Sequence, residues 1–209
     1  MPREGLRTLA PELLRQRIDA VTGTLPGAKA VDRHLSDLRG CFADEAAYEA
    51  ALEGGDELVY SVTTGLEDES EGGLSYGLGV VQPGRVGREY YLTKGHYHAW
   101  REAAEVYIGV SGAGGLVLEN DEGAEQFVPL GAGELVYVPG ATAHRTVNTG
   151  DVPFSYVGIY PGQAGHDYAS IAEDNFRLVV LAGPDGPVVM NRSDLLDPSP
   201  TATIRKAHA

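Results

Sequence analysis

The segment LTKGHYHAWREAAEVYIGVSGAG, residues 92–114, sets two histidines one residue apart and follows them with two glutamates. Side chains two apart on a strand share a face, so His96 and His98 point the same way. Imidazole ligates Fe, Mn, Ni, Cu and Zn, which makes the pair half of a first-row metal site. On its own His-x-His is a weak signal, met equally by two structural histidines. A carboxylate would complete the set, and Glu102 and Glu105 both compete for that place. Glu102 lies in AWREAA, which has no strand alternation, whereas Glu105 opens the β-rich run EVYIGVSGAG. A ligand needs a rigid base, and strands supply one better than loops. Glu105 is therefore the expected ligand and Glu102 a solvated loop charge.

A further ligand should come from a neighbouring strand, and GELVYVPGATAHRTVNTG supplies His144. Gly133 and Pro139 bracket one strand, Pro139-Gly140 makes a turn, and His144 opens the next. Three imidazoles and one carboxylate leave positions open on an octahedral ion, an arrangement suited to catalysis rather than to structure.

The elements that must hold these groups are short. From residue 57 onward, ELVYSVTT, GLSYGLGVVQP, REYYLTKGHYH, EVYIGVSG, GGLVLEN, EQFVPL, ELVYVPG, HRTVNTG and PFSYVGIYP follow one another, punctuated by Gly, Pro, Asn and Asp. They predict antiparallel strands in a closed all-β barrel or sandwich. NFRLVVLAGPDGPVVMNRSDLL adds a hairpin turning at Pro184-Asp185-Gly186. Upstream, FADEAAYEAALEGG predicts a helix capped by Asp44 and ended by Gly54 and Gly55, while PELLRQRIDAVTG reads as either a short helix or an extended arm. The expected organisation is an N-terminal arm and helix over 1–55, a barrel over 56–192 and a polar tail over 193–209.

Composition narrows the function. The 209 residues carry a net charge of -14, which disfavours nucleic acid as a partner. The single cysteine, Cys41, excludes an intrachain disulfide and a multi-thiolate zinc site. The N-terminus has no apolar signal core and no run is long enough to span a membrane, so the expectation is a soluble cytoplasmic protein. Arg145, next to His144, should face the opposite way in a structural ion pair, and His34 and His208 should lie on the surface.

The ligand runs resemble the two-part signature of the cupins. Gly133, Pro139, His144 and Asn148 fit one part, and His96, His98, Glu105 and Gly112 fit the other. Six residues separate His98 from Glu105, where three or four are usual, and Ala141 stands where many cupins have glycine. The longer phrases LSDLRGCFADEAAYEAAL, PGRVGREYYLTKGHYHAWREAAEVY, VYVPGATAHRTVNTGDVPF and IYPGQAGHDYASIAEDNF are similar to the cupin-type phosphoglucose isomerases first known from archaea, over residues 17 to 192. The resemblance implies a cupin barrel and a homodimer. It implies one divalent ion per subunit (Fe2+, Mn2+, Ni2+ or Zn2+) on His96, His98, Glu105 and His144, and interconversion of glucose 6-phosphate and fructose 6-phosphate.

In that setting Glu105 is expected to pass a proton. Lys94, of the same strand parity as the two histidines, should face the substrate. The resemblance also implies substrate binding by Thr93, Gly95, Tyr107, Tyr160 and His166. Three positions depart from the family pattern: Gly79 replaces a phosphate-binding threonine, Gly140-Ala141-Thr142 replaces Pro-Tyr-Trp, and Trp100 replaces a basic residue. Losing one hydroxyl donor to an anion costs about 1.5–3 kcal/mol, which points to a preserved metal centre with an altered sugar pocket. The competing readings are an isomerase for a different sugar, a metal-dependent cupin oxygenase, and a cupin that only binds its ligand.

Overall fold

The computed structural model describes residue 9 and residues 11–19, 23–25, 28, 30–172, 174–196 and 205–206. Its strands are β1 (Ala30–His34), β2 (Leu58–Leu66), β3 (Leu74–Val81), β4 (Arg85–Val86), β5 (Glu89–Tyr90), β6 (Glu105–Ser111) and β7 (Ala113–Asn120). β8 (Glu125–Gly131), β9 (Leu135–Val138), β10 (Thr142–Asn148), β11 (Phe154–Pro161), β12 (Leu178–Gly183), β13 (Gly186–Asn191) and β14 (Arg205–Lys206) follow. They form three antiparallel sheets, ordered β1-β2-β3-β11-β6-β9, β10-β7-β8 and β14-β13-β12-β5-β4. One apolar cluster joins them, drawing Val59 and Val81 from the first, Leu116 and Leu130 from the second, and Leu178 and Val180 from the third. The architecture is all-β, with the strands in antiparallel sheets around a shared core.

Local chemistry accounts for the elements. In β6 burial alternates from Glu105 to Gly109, the period of a strand with one face inward. The helix α1 (Glu45–Gly54) starts where the Asp44 carboxylate accepts the Ala47 N–H at 2.9 Å. It docks through Tyr48, fully buried, whose hydroxyl donates to the Leu35 carbonyl at 2.7 Å. Residues Pro11–Leu14 make a single helical turn. Gly183 pairs with Gly186 across Pro184-Asp185, closing the C-terminal hairpin. His208 lies outside the described residues. No helix among those residues is long and apolar enough to cross a membrane.

Residues 88–98 are not one strand. Only Glu89–Tyr90 joins a ladder, and Leu92 and His96 make isolated bridges to Val147 and His144. The break is at Gly95, whose φ of +72° favours glycine and whose added Cβ would lie 2.5 Å from Phe176 and 2.8 Å from Arg145. Strand parity therefore does not carry through to Lys94. Arg145 does lie on the far side of this segment, but backbone carbonyls hold it rather than a carboxylate. Its guanidinium donates to the Lys94 and Cys41 carbonyls at 2.6 and 3.4 Å and sits over the Phe176 ring.

Ala141 has a φ of +57°, a conformation that strains any residue with a Cβ. This explains why glycine suits the turn before His144. Ala141→Gly should raise unfolding stability by about 0.5–1 kcal/mol, relief of strain outweighing added chain entropy. Urea denaturation checks this, and a lower midpoint at unchanged slope would contradict it.

Candidate metal centre and binding cavity

The backbone brings the two ligand-bearing runs together directly. The His96 N–H donates to the His144 carbonyl at 3.1 Å, and the His144 N–H returns to the His96 carbonyl at 3.0 Å. His98 follows two residues on. Glu105 opens β6 beside Val138 of β9 and faces β11, where Gly158 makes room for it: a Cβ there would lie 2.4 Å from Glu105 Oε1. A glycine inside a strand often marks such a close approach.

One nitrogen on each of His96, His98 and His144 falls within 4.8 Å of the others. Glu105 Oε2 lies 3.3 Å from His98 Nε2 and 3.1 Å from His144 Nε2. His98 Nδ1 donates to the Ala103 carbonyl at 3.0 Å and His144 Nδ1 to the Thr142 carbonyl at 3.2 Å. A carbonyl only accepts, so in each ring the proton sits on Nδ1 and the Nε2 lone pair is presented to the centre. His96 Nε2 and His144 Nε2 are buried without a hydrogen-bond partner, since an Nε2 lone pair has no proton to give the Glu105 carboxylate 3.1 Å from His144. Buried polar atoms are rarely left so. Two orphaned lone pairs converging beside a carboxylate are what a divalent cation would satisfy, and the donor set fits one.

The electrostatics agree. Burial, with its imidazole neighbours, pushes the His96 pKa down to about 2, so the ring is neutral and free to ligate. Burial would raise Glu105, but with a proton on the facing Nε2 atoms the hydrogen bonds and charge of His144 and His98 outweigh it and hold the carboxyl at about 2; a cation on the same lone pairs would take the place of those protons. Burial also opposes charge on His98, yet Glu105 and the Ala103 carbonyl lift its pKa above the ordinary value.

The four groups form one wall of a cavity of about 570 Å³, a size typical of small-molecule sites. Thr93, Lys94, Gly95, Tyr107, Tyr160 and His166 also line it. His166 stacks against Tyr168 and lies 4.5 Å from the His96 ring, centroid to centroid. Glu102 is solvent-exposed. Trp100 is exposed as well and, like Ala141, does not border the cavity.

Arg33, Tyr60, Tyr156 and Tyr168 line the same space but were not singled out by sequence. Parity held one unused clue: Tyr156, Gly158 and Tyr160 share a face of β11, so a cavity-facing Tyr160 implies that its two neighbours face the cavity too. Tyr60 and Arg33 carried no comparable signal.

Comparison with known proteins follows the same lines. The family model described as Glucose-6-phosphate isomerase (GPI) matches residues 32–195. A protein of Pyrococcus abyssi named glucose-6-phosphate isomerase is 45% identical over 81% of this chain and 90% of its own length. Proteins of that name from Thermococcus kodakarensis and Thermococcus onnurineus are each 48% identical, over 82% and 84% of this chain and 89% and 93% of their own lengths.

Proposed function

The chain belongs to the glucose-6-phosphate isomerase family, and on that premise we propose that it interconverts glucose 6-phosphate and fructose 6-phosphate, a step of glycolysis and gluconeogenesis. In this reading His96, His98, His144 and Glu105 hold one divalent ion per subunit, Fe2+, Mn2+, Ni2+ or Zn2+. The observation that carries it is the convergence of three imidazoles and a carboxylate, two of the ring nitrogens buried and unpartnered, on one wall of a hydroxyl-lined cavity.

An aldose–ketose shift moves hydrogen between C1 and C2 and a proton between O1 and O2. When bound, the cation supplies a Lewis acid that polarises the carbonyl and lowers the pKa of the adjacent hydroxyl. Glu105 Oε2 faces the imidazoles and Oε1 faces Gly158, so one oxygen can ligate while the carboxylate takes and returns the substrate proton. Tyr107, fully buried and kept protonated by that burial, packs beside His144 and closes the wall as a hydroxyl donor. Thr93, the Gly95 N–H, Tyr160 and His166 hold the phosphate, and Lys94 supplies a local cation in an otherwise acidic chain. An anaerobic NMR assay on glucose 6-phosphate tests this. The isomerase forms fructose 6-phosphate without oxygen, whereas product formation that stops when oxygen is removed would favour an oxygenase.

The functional unit in this reading is a cytoplasmic homodimer. Val31 on the edge strand β1 and Val62, its partner on β2, are 48% and 39% exposed and also border the cavity. A second subunit on this edge would cover them. Light scattering should return twice the 22.1 kDa chain mass; the mass of a single chain at micromolar concentration would refute it.

A further inference from the structure

We propose that the Tyr156 hydroxyl is a specificity-determining donor to the anionic group of the substrate, taking the place of a side chain that position 79 lacks. The identity of that anion as a sugar phosphate rests on the isomerase reading above.

The argument begins with register. β11 pairs with β3 so that Tyr156 lies directly opposite Gly79, and both line the cavity. A Cβ built on Gly79 would fall 2.2 Å from Tyr156 Cζ and 2.4 Å from its hydroxyl oxygen. Real side chains cannot come so close, so the phenol fills the volume that a residue at 79 would use. The two positions act as one unit: a glycine on β3 admits a hydroxyl delivered from β11.

The hydrogen bonds around that hydroxyl leave its proton free. Thr146 Oγ1 donates to the Tyr156 oxygen at 2.9 Å. The Thr146 N–H donates to Thr93 Oγ1 at 3.0 Å. Thr146 Oγ1 also lies 3.3 Å from Thr93 Oγ1 and, with its one proton given to Tyr156, can there only accept. The Tyr156 oxygen thus has an acceptor lone pair engaged from behind, while no acceptor among the described residues takes its proton. A hydroxyl prepared as a donor, in a cavity wall shared with Lys94 and Gly95, is what an anion requires. The phenol is also rigidly held. It is 7% exposed and packs between Tyr107 and Phe154, with ring centroids at 5.2 and 5.5 Å. The donor absent at Gly79 is in this way supplied from the facing strand.

Tyr156→Phe removes one oxygen and keeps the ring. With metal-loaded enzyme, the KM for glucose 6-phosphate should rise about 10-fold while kcat stays within about 3-fold. Calorimetric titration with inorganic phosphate should show a Kd weakened by a similar factor. Gly79→Ala, which drives a methyl group into the ring, should raise KM likewise. It should add little on top of Tyr156→Phe, because the hydroxyl it displaces is already gone.

If the wild type isomerises glucose 6-phosphate and Tyr156→Phe leaves KM and phosphate affinity within 2-fold, the donor role is overturned and the isomerase reading stands. If the wild type does not isomerise it yet phosphate affinity still depends on Tyr156, the isomerase reading fails and the donor role stands. If calorimetry shows no phosphate binding to the wild type, the donor role fails whatever the turnover.

Discussion

His144→Ala should release the metal and lower kcat/KM by at least ~100-fold. Altering outer-shell partners of metal ligands already costs about 10–100-fold in affinity or activity, and His144 stands at the centre rather than the rim. Its ring is 2% exposed, its Nε2 is one of the two orphaned lone pairs, and its backbone pairs with that of His96. The variant removes a ligand and the group nearest Glu105 Oε2, while Ala143 and Arg145 on the same strand keep their contacts. The barrel should therefore remain folded, at a cost of a few kcal/mol for the lost packing and the Thr142 hydrogen bond. Circular dichroism and elemental analysis separate the outcomes. A folded variant that keeps its metal and its activity would remove His144 from the centre.

Glu105→Gln should lower kcat by roughly 10²–10⁴, the range for loss of a positioned acid–base group. The amide is nearly isosteric, so Gly158 still accommodates it, but it is neutral and cannot take up the substrate proton. Metal affinity should also fall, because the carboxylate lies 3.3 and 3.1 Å from two of the three imidazoles and its charge is lost. Saturating metal should restore occupancy without restoring kcat, and that split distinguishes a proton carrier from a mere ligand. Recovery of full kcat at saturating metal would assign Glu105 to ligation alone.

Much of the architecture was legible because its signals are local. The alternation of EVYIGVS, the Asp44 cap with the paired glycines after it, and the Pro184-Asp185-Gly186 turn each depend on neighbours within a few residues. The spacing of His96 and His98 is similarly local, and a rigid-base argument was enough to prefer Glu105 over Glu102. What stayed hidden depends on residues far apart in the chain. AVDRH shows no alternation, and β1 exists because β2 offers it an edge. REYYLTKGHYH has strand composition but is broken by the left-handed Gly95, whose conformation is set by Phe176 and Arg145 packing behind it.

Gly79 shows the same limit at the cavity. Taken along the sequence it is a lost hydroxyl. Across the sheet it is the space occupied by Tyr156, a residue 77 positions away in the chain (156 minus 79). Compensation between facing strands cannot be seen until the register is known.

The most direct test of the central claim is metal content measured beside isomerase activity in a single preparation. Chelator-treated protein is titrated with a divalent ion, and fructose 6-phosphate formation from glucose 6-phosphate is followed by NMR under nitrogen. Activity should be absent from the stripped protein, rise in proportion to bound ion and level off at about one ion per chain, the number that one set of three imidazoles and a carboxylate can hold. Stripped protein that isomerises glucose 6-phosphate at the loaded rate, or loaded protein that does not isomerise it at all, would contradict the account.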